Sequence, residues 1–194
     1  MIITIARQNG SGGREIARIL SERLGIECYD TALITETARK AGMTVDEVYE
    51  SEEREGKGRL TFYGIPPANP LHRYQFEAIR ELAGKGRSCV FVGRCADHVL
   101  EGRGDLIRVF VHASQERCVE RSAARNGITG KQAAARVSEK NLERAQYYQR
   151  YTGKVWGLAQ YYDLCIDTTS ITLEQAADLI VEYASMKGIL PERE

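Results

Sequence analysis

The sequence contains no apolar run approaching the ~20 residues needed to cross a bilayer. Its opening, Met1-Ile2-Ile3-Thr4-Ile5, lacks a basic flank and a small-residue cleavage site, so it reads as a first strand and not as an export signal. Cysteine is sparse: Cys28, Cys89, Cys95, Cys118 and Cys165 are an odd number with no Cys-x-x-Cys pair. That pattern disfavours a disulfide framework and a zinc cluster, and points to a reducing cytoplasm. The histidines His72, His98 and His112 are scattered, which gives no basis for a Ser/His/Asp triad or a histidine metal site. A net charge of one sign is missing too, since 27 Lys+Arg balance 27 Asp+Glu. Neither nucleic acid nor a membrane is therefore an expected partner.

What is present describes a folded globule. With 43% hydrophobic and 28% charged residues, the 194-residue chain fits one domain with a substantial core and is not wholly disordered. The charge is uneven. Between Ser114 and Lys154 nine Lys/Arg face four Glu, whereas Asp163–Tyr183 holds five acids and no base. A local basic surface on a neutral protein suggests a compact anionic ligand before it suggests a polymer.

Strand-like and helix-like segments alternate. Ile2–Ala6 is a β-branched run, and Ile16, Ile19, Leu20 and Leu24 recur at helical spacing until Gly25. Ile26–Tyr29 reads as a short strand, after which Asp30 or Thr31 can cap a helix bearing Leu33, Ile34, Thr37, Ala38 and Ala41 on one face. Thr44–Glu47, Thr129–Gln132 and Thr172–Gln175 have capping-box form and open three further helices. Ser51–Pro70, charged, then glycine-rich, then closed by prolines, reads as a mobile insertion. His72–Ala83 resumes helical spacing, and Ser88–Val92, Leu106–Val111 and Leu164–Ile166 supply the later strands. This βαβα order predicts an α/β fold: three layers, a parallel sheet with helices on both faces, and right-handed crossovers. Ligands of such sheets bind beyond the carboxyl ends of the strands.

The loop after the first strand is Ala6-Arg7-Gln8-Asn9-Gly10-Ser11-Gly12-Gly13-Arg14-Glu15. Three glycines between a strand and a helix let backbone N–H groups converge on an anion at the positive helix end, although a tight turn alone also uses glycine. The loop departs from G-x-x-x-x-G-K-[ST]. One register places Gly13 at the lysine position and Arg14 at the hydroxyl position; the next makes Arg14 the cation and Glu15 the hydroxyl replacement. Its third glycine position also fails the dinucleotide fingerprint.

Ile3–Ile16 resembles the opening of the cytidylate kinase-like family of P-loop proteins, and Val92-Gly93-Arg94-Cys95-Ala96-Asp97 and Ile166-Asp167-Thr168-Thr169 resemble its later motifs. The resemblance spans Ile2 to about Tyr183 and implies a P-loop, nucleoside monophosphate kinase-like fold. Asn9, Gly10, Ser11, Gly12, Gly13 and Arg14 would then hold the ATP phosphates. Arg94, with Asp97 nearby, would grip an acceptor phosphate; the bland alternative is a surface ion pair between those two. Asp30-Thr31 matches the acceptor-nucleotide region, against a plain helix cap for Asp30. Asp167-Thr168-Thr169 would lie near the donor adenine or cap the last helix.

Arg117, Arg121 and Arg125 stack on one helix, and Arg136, Lys140 and Arg144 on the next, which resembles the basic lid of nucleotide kinases. The alternative is a pair of solvated faces laced by Glu–Arg pairs. Arg14, Arg121, Arg125 and Arg144 are the expected catalytic cations, with one of Arg121, Arg125 and Arg144 standing in for the missing lysine. The tyrosines between Tyr147 and Tyr162 read as helix packing or a subunit contact, which leaves a homo-oligomer open. The expected whole is a single domain over 1–194, with an acceptor-side insertion at about 43–71 and a lid at about 117–151. It would transfer the γ-phosphoryl of ATP, with Mg²⁺, to a nucleoside monophosphate or related small acceptor; no metal ligand is identifiable. The rival is a non-catalytic nucleotide-binding regulator with a degenerate loop.

Overall fold

A computed structural model describes residues 1–57 and 70–190. In chain order its elements are β1 (Ile2–Arg7), α1 (Gly13–Leu24), β2 (Glu27–Tyr29), α2 (Thr31–Ala41), α3 (Val45–Lys57) and α4 (Leu71–Gly84). There follow β3 (Cys89–Val92), α5 (Ala96–Val99), β4 (Leu106–His112), α6 (Gln115–Asn126), α7 (Gly130–Thr152), β5 (Leu164–Asp167) and α8 (Leu173–Met186). The five strands form one sheet in the order β2-β3-β1-β4-β5, and every pairing is parallel. A parallel sheet with helices on both faces leaves its strands no solvated side, which explains the near-continuous apolar runs. Along β1, Ile3 and Ile5 face a core shared with Ile16, Ala17 and Leu20 of α1 and Ala176, Ala177 and Ile180 of α8. Ile2 belongs to the other face, with Leu33 of α2, Ile79 of α4 and Phe91 of β3.

The helix starts follow local chemistry. Thr129 and Thr172 each accept a bond from the N–H three residues on, while Gln132 and Gln175 reach back to the cap amides. Thr44 and Glu47 do the same at α3, each such cap contributing about 1 kcal/mol. Two expectations change. Of the segment Ser51–Pro70, read as a mobile insertion, the part to Lys57 continues α3; residues 58–69 of that reading lie outside the described residues. Asp30 occupies the cap position of α2 but makes no side-chain cap bond, because its carboxylate is paired with the Arg14 guanidinium.

All five strands run the same way, so their carboxyl ends share one rim of the sheet. Strand β1 is central, flanked by β3 and β4, and this is the rim where the chain places its glycine loop, Asp30 and Arg94.

Candidate active site

Loop 8–12 leaves β1 and is tied down by its neighbours. The Gln8 amide donates to the Val111 carbonyl at 3.0 Å, the Ser11 hydroxyl to the Gln8 carbonyl at 2.9 Å, and the Asn9 amide to Asn141 Oδ1 of α7 at 2.7 Å. The glycines are required by contact as well as by conformation. A Cβ on Gly10 would lie 2.2 Å from the Cys118 carbonyl oxygen, one on Gly12 2.4 Å from the Leu173 side chain, and one on Gly13 2.6 Å from Arg7 Cβ. Gly10 and Gly12 also have φ of 82° and 89°, a region L side chains avoid. Helix α1 begins without a side-chain cap, so the first-turn amides of Gly13, Arg14 and Glu15 have no intrahelical acceptor. They are available to an anion, and the helix dipole favours one there.

Two cavities flank this loop. The first, with space of about 690 Å³, is lined by Asn9, Gly10, Gly12, Gly13 and Arg14 together with Arg121, Arg125, Arg136, Lys140 and Arg144 from the α6–α7 hairpin. The second, about 300 Å³, is lined by Asp30, Arg94, Cys95 and Asp97 from the strand ends, by Tyr49 of α3, and by Glu143, Arg144, Tyr147 and Tyr148 of α7, with Trp156. Arg7, Arg14 and Arg144 line both. The residues expected to hold a donor and an acceptor are thus brought to adjoining spaces with a wall of guanidinium groups between them.

The electrostatics of that wall are costly. Burial, then the neighbouring Arg14 and Arg94 charges, pull the Arg144 guanidinium down to about 10. Burial and then Arg144 lower Arg7 well below the ordinary arginine value, and burial lowers Arg94 as well. The delocalised guanidinium keeps its charge near neutrality. Among the described residues Asp30 is paired with Arg14, and Glu143 with Lys140 at 2.7 Å. Enclosed like charges gathered this closely favour a polyanion. The backbone beside it is strained, for Arg94 and Cys95, neither of them glycine, sit at φ of 59° and 56°. Each costs on the order of 1–3 kcal/mol, and Arg94 lines the smaller cavity from this backbone.

Not every expected residue faces a cavity. Thr31 lies exposed at the start of α2 and lines neither. Ser11 is fully buried and contributes its carbonyl to internal bonds. Arg121 lines the larger cavity but is held by the protein: Nη1 donates to Thr168 Oγ1 at 2.9 Å and to the Ser11 carbonyl at 3.3 Å, and Nη2 donates to the Thr168 carbonyl at 3.0 Å. Arg125 lines the same cavity from an exposed position. Asp97 is no ion-pair partner of Arg94 here; it is buried and accepts the Tyr148 hydroxyl at 2.6 Å, and burial raises its pKa. Asp167 does not cap α8, a task that falls to Thr172; Thr168 buttresses the glycine loop instead. The tyrosines behave as packing residues, with Tyr147 tilted against Tyr151, Tyr151 stacked on His72, and Tyr162 against Phe110. Arg7 was not among the expected site residues, although its position at the end of β1, before the glycines, was a usable signal.

A parallel sheet of order 2-3-1-4-5, a glycine loop leading into α1 and arginines converging from the rim define a P-loop kinase. The chain belongs to the cytidylate kinase-like family, whose sequence profile matches residues 2–170. It is 28% identical to a cytidylate kinase of Archaeoglobus fulgidus over 97% of both chains. With a cytidylate kinase of Pyrococcus furiosus it shares 27% identity over 87% of this chain and 80% of that one. Among solved structures, an uncharacterized protein from Eubacterium ventriosum is similar over 95% of this chain and 98% of that one, at TM-score 0.75 and 27% identity. A shikimate kinase from Acinetobacter baumannii shares the fold at TM-score 0.55 and 17% identity, over 95% of this chain and 93% of that one. Family and fold together place the chain among the nucleotide kinases. Among the described residues no helix is long and apolar enough to cross a membrane.

Proposed function

We propose that the protein transfers the γ-phosphoryl of ATP to a nucleoside monophosphate, of which cytidylate is the leading candidate. The observation that carries this reading is the adjacency of the two cavities, with Arg7, Arg14 and Arg144 lining both. A donor triphosphate in the larger space would put its terminal phosphoryl at that boundary. A monophosphate in the smaller one, gripped by the planar fork of Arg94, would meet it there. The aromatic lining of the smaller cavity offers faces on which a nucleobase can stack.

The chemistry asks little of a side-chain base. The acceptor phosphate is already ionised at neutral pH; one of its oxygens attacks the γ-phosphorus, the bond to the β,γ-bridging oxygen breaks, and ADP leaves with that electron pair. Positioning and charge stabilisation supply most of the catalysis. The first-turn amides of α1 would hold the donor phosphates, Arg14 and Arg144 would neutralise charge on the moving group, and the α6–α7 hairpin would exclude water. Among the described residues no group of three or more His, Cys, Asp or Glu could cage a metal. Mg²⁺ therefore fits as part of the MgATP substrate, held by phosphates and water, and no protein ligand is assigned to it.

The non-catalytic reading draws on the missing loop lysine alone. A coupled ADP-release assay with MgATP across the nucleoside monophosphates separates the two. Turnover with one acceptor well above the acceptor-free rate supports transfer; calorimetric ATP binding without acceptor-dependent turnover supports the binder.

A further inference from the structure

No lysine stands in the first turn of α1, where Arg14 is paired with Asp30, and the hairpin arginines expected to replace it are engaged or exposed: Arg121 is bound to Ser11 and Thr168, Arg144 donates to the Arg7 carbonyl, and Arg125 is exposed. Arg7 stands differently. Its stem leaves β1 against Gly13, where a Cβ would come within 2.6 Å of Arg7 Cβ and 3.0 Å of Cγ. Its guanidinium ends over Gly93, where a Cβ would fall 1.9 Å from Nη1. A glycine at the start of α1 and another just after β3 thus clear a track for one side chain. That track leads from the donor cavity to the acceptor cavity, and Arg7 lines both. The Arg7 carbonyl is itself held by Arg144 Nη1 at 2.9 Å, which couples its position to α7. Among the described residues Arg7 makes no ion pair, unlike Arg14 with Asp30 and Lys140 with Glu143.

We infer that Arg7 is the cation that replaces the loop lysine, contacting the phosphoryl group in flight from beneath it, from strand β1 instead of helix α1. An enclosed guanidinium beside Arg94 and Arg144, with Asp30 as its attractive neighbour but no ion pair among the described residues, is better compensated when an anion sits at the cavity boundary. Its fixed fork can bridge an oxygen of the donor and one of the acceptor, which a lysine ammonium on a flexible stem does less well. This rests on the phosphoryl-transfer reading above.

The test compares the wild-type chain with Arg7→Met and Arg7→Lys by three measurements: turnover with MgATP and the preferred monophosphate, calorimetric ATP binding, and thermal midpoint without nucleotide. Expected is a fall in turnover of at least a hundredfold for Arg7→Met. Its nucleotide-free midpoint should be equal to or above wild type, because a repelled charge is gone. Arg7→Lys should recover at least tenfold of the lost turnover. A purely structural arginine predicts the opposite sign in the midpoint and no rescue by lysine. Wild-type turnover in Arg7→Met overturns the inference, and so does a lowered midpoint in both variants. If the wild-type chain itself neither binds ATP nor turns over any acceptor, it is the transfer reading that fails, and the role of Arg7 falls with it.

Discussion

Thr168→Val tests how the glycine loop is held in shape. The hydroxyl is fully buried and donates to the Ser11 carbonyl at 2.8 Å while accepting Arg121 Nη1 at 2.9 Å. Valine keeps the volume and removes both bonds. Ser11 is then left with Arg121 at 3.3 Å, a long contact, and Arg121 keeps only carbonyl acceptors. A buried acceptor deprived of its best donor costs about 1–3 kcal/mol. At about 2 kcal/mol the thermal midpoint of a chain this size should fall by roughly 4–8 °C. The loop whose amides face the donor cavity would also be less preorganised. If about 1 kcal/mol of the cost appears in nucleotide binding, ATP affinity drops about fivefold. Thermal melting with and without ATP, together with calorimetry, measures both effects. A midpoint within 1 °C of wild type and an unchanged ATP affinity would show that Thr168 does not brace the loop.

Gly10→Ala should be far more severe, since its Cβ would meet the Cys118 carbonyl oxygen at 2.2 Å and φ is 82°. Strain and overpacking together cost about 2–5 kcal/mol, and a melting temperature within 2 °C of wild type would contradict the packing described. The Arg108–Asp163 pair links β4 to the residue before β5, with Arg108 Nη2 donating to Asp163 Oδ1 at 2.9 Å and the Arg108 amide to Oδ2 at 2.7 Å. Burial alone would raise the Asp163 carboxyl, but these donors hold it below the usual value. A depressed carboxyl stabilises the fold fully above the unfolded value of about 4 and loses that contribution as pH falls below it. Asp163→Asn should therefore lower the midpoint at pH 7, with a deficit that shrinks as pH falls below about 4; an equal deficit at pH 7 and pH 3 would exclude the linkage.

Legibility in the sequence followed distance along the chain. Thr44–Glu47, Thr129–Gln132 and Thr172–Gln175 each close a bond across three residues, so their helix starts were readable, and the apolar run at Cys89–Val92 announced a strand buried on both faces. The tertiary partners were not readable. Arg117, Arg121 and Arg125 share a helix face, which suggested one shared role. Instead Arg117 pairs with Glu120, Arg121 clamps Ser11 and Thr168, and Arg125 lines the larger cavity. Periodicity says which residues face one way and is silent on what they meet. Asp30 could be weighed as a cap or an acceptor ligand because both are local readings, but its partner Arg14 lies on another helix. The glycines of the loop were read as a phosphate cradle, and half of their reason is contact with Cys118, Leu173 and Arg7, which no spacing rule contains.

Moving the cation from helix to strand changes what the rest of the site must be. A lysine on the first turn of α1 would need only a short reach to the donor phosphates. An arginine on β1 must pass beneath the loop and surface near the next strand, so it needs a glycine where it passes and another where it ends. Gly13 and Gly93 meet that need, and Gly93, at φ 74°, begins the left-handed run that continues through Arg94 and Cys95. The same stretch of backbone therefore makes room for one guanidinium and carries a second. A side chain at position 93 would displace the Arg7 head and disturb the approach to Arg94 together. The loss of the loop lysine and the glycine after β3 are on this view two consequences of one arrangement, in which the charge for phosphoryl transfer is set by the sheet.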